Sequence, residues 1–502
     1  VYRQAGLRPM AVPESTPAPP ERVPVCSPRA ASLFAELLGQ NRDKLLLEAM
    51  GNMRAAGLRL PFALLPTMLS LRGEKLRDAL VPVLGQRGVW LAARNPDWRW
   101  VLDRTPPDDG AERAVQEAEW EVGTPARRLV ALRRVRASAP ERARAWVEDA
   151  WSGEKAEFRR EMLGVLADAL SKWDEPLLET ALDDRSSTVR ATAANLLARM
   201  PDAAHSIRMR ERAGLVLRYD PPAEQPRGLR RLVSGLTRGG GRRLLHVAPP
   251  ETLPKDWKRD GIQEKPPQGV GEREWWTRQL LNAVPLSHWN ETLGANPSEL
   301  VHAAAGNADW GVVVLEGWTG ALSLGASVPW VNALWEYRRR KYDEAQREDE
   351  RARALDPLTL LMACMPADQL EPRLREELVA ASGKPIVERS PLGHDIHSDS
   401  MSWICQEGLR LIEKPWSVSL GETYLRSLRT FLAGARGVRS YSPGLWMGTL
   451  PAAAEALPPS CFDRALEPWD LPKTDDWMWL RDAARFQETV RLRKLIVEEI
   501  RA

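Results

Sequence analysis

The amino-acid sequence predicts an all-α fold, arranged as a helical-repeat solenoid in two blocks that a long Pro/Gly-rich segment joins. Apolar residues recur at three- and four-residue steps along most of the chain, which is the period of an amphipathic helix. Strict alternation of apolar and polar residues, which indicates a half-buried strand, is scarce throughout. The helices are short and are separated by a few polar residues, as they are in stacked helical repeats.

Residues 159–201 show the repeat most plainly. Three apolar stripes follow one another there, and each forms one face of a helix that a neighbouring helix must cover. The turn at 183–187 offers side chains that cap the next helix, and Pro201 ends that helix because proline cannot continue the hydrogen-bond ladder. The stripes consist of Phe158, Met162, Val165, Leu166, Ala169 and Leu170, then Trp173, Leu177, Leu178, Ala181 and Leu182, then Val189, Ala193, Leu196, Leu197 and Met200.

One pattern in this stretch is shared with a known kind of repeat. It consists of Asp183 or Asp184 in the turn, Val189–Arg190 in the next helix, and Ala193, Ala194 and Leu197 behind them. In this pattern the stretch resembles a HEAT repeat, in which the acidic residue and the arginine usually link neighbouring units. The resemblance implies that Asp183, Asp184 and Arg190 are structural repeat contacts. We expect the turn carboxylate to cap the helix that starts at Ser187, and Arg190 to bond across to a neighbouring unit.

Composition divides the chain into four parts. Residues 1–26 are rich in proline and alanine without a periodic apolar pattern, so we expect a flexible leader. Residues 27–217 form the N-terminal HEAT-like block, which begins with the cap residue Ser27 and a proline after it. Residues 218–272 contain Pro-Pro and Gly-Gly-Gly clusters and few amphipathic turns, so we expect an irregular connecting segment. Residues 273–502 form the C-terminal helical block.

Charge balance, cysteine spacing and missing motifs argue against several classes of protein. The 71 basic and 68 acidic residues nearly cancel, so nothing demands nucleic acid or an anionic membrane as a partner. The four cysteines lie far apart without a CxxC pair, which argues against a zinc site or a disulfide framework and favours a reducing cytoplasm. No membrane span, signal pattern, GxSxG, HExxH, Rossmann or Walker motif occurs. We therefore expect no cofactor and no metal, and the balance favours a non-enzymatic protein.

The segment 82–100 is the most distinctive one in the first half. Two glycines permit an unusual turn, and the polar corner from Arg94 to Asp97 lies between two tryptophans. One interpretation is a capped corner within the helical stack. The other is a partner-binding edge lined by Arg94, Asp97, Trp98 and Trp100.

Two clusters leave other functions open. Seven arginines from Arg127 to Arg144 suit phosphate backbones, which predicts a nucleic-acid-binding protein akin to the HEAT-like DNA glycosylases as the runner-up function. Nearby acidic residues favour a solvated helix face instead. His394 and His397 lie beside two aspartates and suit a metal-dependent hydrolase, but a Gly/Pro/Ser loop does not fix ligand geometry. This hydrolase is the weaker alternative.

Short signatures extend over most of residues 30–500. They are Leu84–Gly85, Gly88, Leu91, Arg94–Pro96 with Trp98, the HEAT-like turn, Asp260–Ile262, Lys265–Pro267 and Gly271–Arg273 leading into Trp276. In these signatures the chain resembles an uncharacterised bacterial family of helical proteins encoded beside MoxR-type AAA+ ATPases and von Willebrand factor A proteins. The resemblance implies no catalytic residues and an accessory role around an ATP-driven remodelling machine. We therefore expect a cytoplasmic scaffold or adaptor that binds protein partners, among them an AAA+ ATPase or a von Willebrand factor A protein.

Overall fold

The protein is described here from a computed structural model, which covers residues 17–104, 111–220, 244–344, 357–382, 400–434, 444–469 and 477–501. Within these ranges the all-α prediction is confirmed, because helices account for most residues and are accompanied by one two-stranded sheet. No helix in the same ranges is long and apolar enough to cross a membrane.

The first half of the chain consists of short helices. They are α1 (Pro28–Gly39), α2 (Asp43–Ala55), α3 (Leu65–Leu69), α4 (Glu74–Leu80), α5 (Gly85–Ala92), α6 (Ala111–Val122), α7 (Pro125–Ser138), α8 (Pro140–Ala150), α9 (Ala156–Leu166), α10 (Glu175–Ala181), α11 (Ser187–Ala198) and α12 (Ala204–Val216).

The second half continues in the same way. Its helices are α13 (Lys255–Arg259), α14 (Glu272–Asn282), α15 (Leu286–Leu293), α16 (Pro297–Ala305), α17 (Gly311–Gly320), α18 (Val328–Glu344), α19 (357–364), α20 (Ala367–Ser382), α21 (Ser400–Leu411), α22 (Val418–Gly434), α23 (Gly444–Ala456), α24 (Phe462–Leu466) and α25 (Trp477–Arg501). Short 3-10 helices lie at Phe62–Leu64, Val81–Val83, Pro96–Arg104, Trp151–Gly153, Lys172–Asp174, Ala321–Leu324 and Pro459–Cys461.

The sheet is a short hairpin that the sequence pattern did not reveal. Strand β1 (Leu217–Asp220) pairs antiparallel with β2 (Leu244–Val247), so that Leu217 lies opposite Val247. Each strand has four residues, which is too few for alternation to stand out from the surrounding helices.

Helix ends follow local capping chemistry. The Ser27 hydroxyl accepts a hydrogen bond from the Ala30 amide at 3.1 Å, and a proline occupies the first turn of α1. At α16 the Asn296 side chain accepts from the Glu299 amide at 3.0 Å, while the Glu299 carboxylate accepts from the Asn296 amide at 3.1 Å. These reciprocal bonds satisfy amides that have no partner inside the helix.

The chain divides into two compact units, one within residues 1–108, 375–409 and 413–502 and the other within 109–374 and 410–412. The first unit therefore combines α1–α5 with the C-terminal helices. Its core includes apolar residues of α1–α5 together with three from α25. Arg493 of α25 is buried and donates to the Glu48 carboxylate of α2 at 2.8 Å, which ties the two parts of this unit together.

The second unit contains α6–α19. One part of its core is formed by the apolar stripes of α6–α11. Further along, the rings of Trp289, Trp318 and Trp330 are buried in contact, with centroids 6.3 and 5.0 Å apart. Helices α14 and α17 approach closely because Gly317 has no side chain: a Cβ there would lie 2.6 Å from the Leu281 Cβ.

Several sequence expectations meet a different arrangement. The two units do not coincide with the predicted blocks, since the described parts of 218–272 belong to the second unit. The described part of the predicted leader, residues 17–26, contacts the fold: Glu21 accepts from two amides at the start of α5, and Cys26 is buried. Trp173 was expected on a buried stripe, but this was wrong, because a 3-10 turn leaves it 62% exposed. The remainder of the leader, residues 1–16, lies outside the described residues.

Candidate binding groove

Arginine–aspartate pairs join the helices of the second unit. Arg136 of α7 and Asp174 before α10 are both buried, and the guanidinium donates to the carboxylate at 2.9 and 2.7 Å. The same guanidinium donates to the carbonyls of Leu166, the last residue of α9, and of Asp168 and Ala169 just after it. Burial raises the pKa of Asp174, but the guanidinium of Arg136 and the hydrogen bonds from Ser171 together outweigh it, and the net shift is downward. Arg136 therefore joins α7, α9 and α10.

The HEAT-like turn is held by a second pair. Arg159 of α9 contacts the Asp184 carboxylate at 2.7 and 3.0 Å, and the same carboxylate accepts from the Ser186 amide at 2.8 Å before α11. Arg190 does not reach a neighbouring unit as expected. Its guanidinium donates to the carbonyls of Asp184 and Arg185, at 2.7 and 3.2 Å, within the turn before its own helix. The link between helices is made by Arg159 instead, because its side chain projects from α9 towards the turn.

Asp260 is the centre of a third cluster. It is 2% exposed and lies 2.8 Å from Arg208, 2.7 Å from Arg212 and 3.1 Å from Arg259. Arg259 also contacts the exposed Asp183 carboxylate at 2.7 Å, and this bond lowers the pKa of Asp183. Burial raises the pKa of Asp260, while the guanidinium groups lower it, and the net shift is downward. The Asp260 carboxylate is therefore ionised and forms ion pairs with three arginines.

The next residue, Gly261, brings this loop down onto α11. Its φ of +96° lies in the region that favours glycine, and a Cβ there would lie 2.5 Å from the Ala194 Cβ. Any larger residue would push the loop away from the helix. Close approach of the two backbones therefore depends on glycine at this position.

A cavity of about 660 Å³ opens between α11, the start of α12, the Asp260–Gln263 loop and α14. Small residues of α11 form one wall, and the buried side chains of His205, Met209 and Ile262 line the cavity. Exposed polar side chains at its edge are Asn195, Arg199 and Asn282. The volume lies in the range that ligand-binding clefts occupy in proteins.

Two buried polar atoms of residues that line this cavity have no hydrogen-bond partner among the described residues: Nδ1 of His205 and Nε1 of Trp275. The other ring nitrogen of His205, Nε2, lies 3.0 Å from the Asp260 carbonyl oxygen. A carbonyl only accepts, so Nε2 carries the proton and Nδ1 is a free acceptor. Burial lowers the pKa of His205 and favours this neutral form. Both atoms are themselves buried, and His205 is 0% exposed.

A narrower cavity of about 320 Å³ continues towards the start of α11. It shares residues 261–263 with the wider one and adds Ser187, Thr188, Arg190, Lys258, Glu264 and Lys265. Ser187, Ala191, Ala194 and Ala198 follow one another at steps of four, three and four residues, so they occupy one face of α11. We call the two cavities along this face the α11 groove.

The predicted partner-binding edge in the first unit is only partly open. Arg94 and Asp97 are exposed, and the Arg94 guanidinium lies 3.9 Å from the Trp90 ring centroid. Trp98 packs partly against the core. Trp100 is 8% exposed and its indole donates to the last carbonyl of α3 at 3.3 Å, so it packs as a core residue. Two of the four residues are therefore accessible to a partner.

The arginines from Arg127 to Arg144 are mostly engaged within the protein. The ion pairs are Arg128–Glu154 at 2.6 Å, Arg134–Glu119 at 3.9 Å, Arg136–Asp174 at 2.7 Å, Arg142–Glu117 at 2.6 Å and Arg144–Asp174 at 3.4 Å. Their charges are compensated by carboxylates, which gives a nucleic-acid backbone little net positive charge to bind.

The histidines of the predicted metal-dependent hydrolase site, His394 and His397, lie outside the described residues. Among the residues that are described, no group of three or more histidine, cysteine or acidic side chains is placed to hold a metal ion.

Sequence reasoning singled out residues 260–262 and 265 but not the groove itself. A usable signal was the adjacent pair Trp275 and Trp276, because adjacent positions are about 100° apart around a helix and the two rings therefore point in different directions. Trp276 is the buried one, at 4% exposure, and its indole donates to the Glu264 carbonyl at 3.0 Å. Trp275 faces the groove. His205 has no such signal, because its role depends on a loop 55 residues away.

Comparison with known proteins identifies a family. A family model described as "Family of unknown function (DUF5691)" matches residues 1–500. No curated protein matches. No solved structure matches either.

Proposed function

The chain belongs to this family of unknown function, and we propose that it is a non-enzymatic helical-repeat scaffold or adaptor that binds a segment of a protein partner in the α11 groove. The resemblance of its signatures makes a MoxR-type AAA+ ATPase or a von Willebrand factor A protein the first partner to test. Such a role belongs in the cytoplasm.

The observation that carries the proposal is an open groove whose edge carries exposed cationic side chains without an ion-pair partner. Arg199 lines the wider cavity and Lys265 the narrower one, and neither makes an ion pair with a residue in the described ranges. Such side chains can bind polar or acidic groups of a partner.

The groove's charged groups support binding in preference to proton transfer. The carboxylate nearest the cavity, Asp260, is held as an anion by three arginines. His205 keeps its proton on the nitrogen that faces the Asp260 carbonyl. The other exposed polar groups of the wider cavity are amides, the Ser323 hydroxyl and Arg199, which recognise polar ligands by hydrogen bonding.

Co-purification with a groove-blocked variant tests the proposal. Asn195 is exposed at the edge of the wider cavity, so Asn195→Trp places a large side chain across its mouth. Arg160→Trp, at an exposed position of α9 that lines neither cavity, is the matched control. We expect a stoichiometric partner on the wild type and the control, and its loss from the blocked variant. Absence of any stoichiometric partner, or its retention by the blocked variant, contradicts the proposal.

A further inference from the structure

We propose that the first unit binds the phosphate group of a small organic molecule in a cavity at the N-terminal end of α2. The residues of this cavity are not those of the α11 groove, so the inference goes beyond the proposed function and does not depend on it. A helix end, an unpaired hydroxyl and a surplus of positive charge support it.

A cavity of about 350 Å³ lies between three helices of the first unit. It is bordered by residues 41–45 at the start of α2, by residues of α23 between 451 and 455, and by residues of α25 between 482 and 489. Within α23 and α25 the bordering residues recur at three- and four-residue steps, so each of these helices turns one face to the cavity. The volume is near the lower limit of ligand-binding clefts, which suits a small molecule.

Helix α2 turns its end, and not one face, to the cavity. Successive helical residues are about 100° apart around the axis, so five consecutive residues can border one cavity only at the end of a helix. The amides of Asp43, Lys44 and Leu45 have no hydrogen-bond partner among the described residues, and the side chain of the cap residue, Arg42, does not accept from them. Three free N–H groups at the positive end of the helix dipole suit an anion.

The Thr489 hydroxyl is a second, independent feature that points to a ligand. Thr489 lies on α25, is 8% exposed and borders the cavity. Its side chain forms no hydrogen bond with any residue in the described ranges. A helical threonine can bond to a carbonyl three or four residues before it, so a largely buried hydroxyl without this bond is unusual. Because the residue keeps some exposure at the cavity, a ligand there can accept a hydrogen bond from it.

Two of the carboxylates at the cavity are already compensated by cations. Lys44 and Lys414 both contact Glu455, at 2.7 and 2.8 Å, so two positive charges share one negative charge. Asp482 pairs with Arg481 at 3.1 Å. These groups together retain one positive charge.

Three further charged residues border the cavity without an ion-pair partner in the described ranges. Arg42 and Arg485 are positive, and Arg485 is exposed. Asp43 is the carboxylate that opposes an anion here, and it is exposed as well. The balance around the cavity therefore stays positive, which favours an anionic ligand.

The number of donors favours phosphate over a carboxylate. A phosphate monoester has three terminal oxygens and close to two negative charges, whereas a carboxylate has two oxygens and one charge. The helix amides, the Arg485 guanidinium and the Thr489 hydroxyl offer donors to all three oxygens. The buried side chains of Leu45 and Phe486 also border the cavity, so the rest of the ligand meets an apolar surface.

Calorimetric titration of the full chain tests this inference, with phenyl phosphate as the probe and low ionic strength to limit screening. Inorganic phosphate and benzoate are the comparison probes. Phenyl phosphate should bind at least about fivefold more tightly than inorganic phosphate, because its ring contacts the apolar surface. It should also bind at least about fivefold more tightly than benzoate, which brings fewer oxygens and less charge.

Variants locate the site. Arg485→Gln should weaken phenyl phosphate binding by about tenfold, the loss of one charged hydrogen bond. Thr489→Val keeps the shape but removes the hydroxyl and should weaken binding by about fivefold, whereas Thr489→Ser should bind as the wild type does. Asp43→Asn removes the opposing charge and should strengthen binding by about threefold.

Two arginine variants are the matched controls. Arg54→Gln is exposed at the other end of α2, and Arg199→Gln lies in the α11 groove. Neither should change the affinity for phenyl phosphate. Thermal melts of each variant exclude unfolding as the cause of lost binding.

No binding of phenyl phosphate, equal affinity for benzoate, or an unchanged affinity in Arg485→Gln or Thr489→Val overturns the inference. Because Arg485 is exposed, its replacement tests the site without a change in the core. The two proposals fail separately, since partner capture is tested with substitutions in the α11 groove and phosphate binding with substitutions around the cavity at α2.

Discussion

Replacement of Arg136 by methionine removes the charge that neutralises a fully buried carboxylate while keeping most of the aliphatic volume. Asp174 is 0% exposed and would retain only the weaker contact to Arg144, at 3.4 Å, and its bonds to Ser171. Removal of one partner of a buried ion pair costs about 3–5 kcal/mol. The variant also loses donors to the last carbonyls of α9, while Arg144 offsets part of the lost charge. We therefore expect about 3 kcal/mol of destabilisation.

Calorimetric melting measures this loss. For a unit of this size, 3 kcal/mol corresponds to a decrease of about 6–12 °C in the melting temperature of the transition that includes α7–α10. Amide hydrogen exchange locates the effect. Because α9 loses its capping donor, its amides should exchange faster in the variant than in the wild type, whereas exchange in α1 and α2 should change less. The double variant Arg136→Met with Asp174→Asn removes both buried charges of this pair and should recover part of the lost stability.

Arg133→Met is the matched control, since Arg133 lies on the same helix, is exposed and makes no ion pair with a described residue. It should stay within about 0.5 kcal/mol of the wild type. If Arg136→Met has the same melting temperature as the wild type and Arg133→Met, the Arg136–Asp174 pair does not stabilise the packing of α7, α9 and α10. The reasoning from burial and hydrogen-bond geometry would then be refuted.

Two further predictions concern the groove. Gly261→Ala combines left-handed strain with a clash against Ala194, so it should destabilise by about 2 kcal/mol more than Gly269→Ala, whose φ is also positive but whose surroundings are open, in urea titrations. His205 has a pKa below its ordinary 6.5 because it is buried. The unfolded state therefore binds the proton first, and stability should begin to fall as pH drops below 6.5, more weakly in His205→Gln.

Each of these results has a clear contrary outcome. Equal losses in the two glycine variants would show that the loop does not press on α11. The aspartates with lowered pKa lose their contribution to stability only when the pH falls below about 3.8. Melting experiments between pH 5 and 7 therefore report on the histidines. His288, whose pKa is also lowered by burial, contributes in the same direction. An unchanged slope in His205→Gln would mean that its imidazole is not held neutral.

The fold class was predictable because helical periodicity is local. Apolar residues at three- and four-residue steps identify α9, α10 and α11 without knowledge of their neighbours. The pairing of charges was not predictable in the same way. Arg190 was expected to link units because it occupies the position of the HEAT-like arginine, yet Arg159, 25 residues before Asp184, makes that contact. A long arginine side chain reaches partners that sequence spacing does not specify.

The candidate site depends still more on tertiary structure. Arg136 was grouped with exposed arginines because of its neighbours in sequence, although it is 1% exposed. The groove forms only because α11, a loop more than 60 residues further along the chain, and α14 lie next to one another in the fold. A glycine at 261 is visible in the sequence, but its positive φ and its contact with Ala194 are not. Sequence signatures mark the groove-forming residues without indicating that they form a groove.

Site-specific photocrosslinking tests the central claim most directly. A benzoylphenylalanine residue replaces Asn195, at the edge of the wider cavity, or Arg160, on α9 outside both cavities. The full chain is expressed in its native cells and irradiated, and covalent adducts are resolved by mass. The scaffold proposal predicts one discrete protein adduct from position 195 and none from position 160. Adducts of equal yield from both positions, or an adduct from position 160 alone, would contradict it.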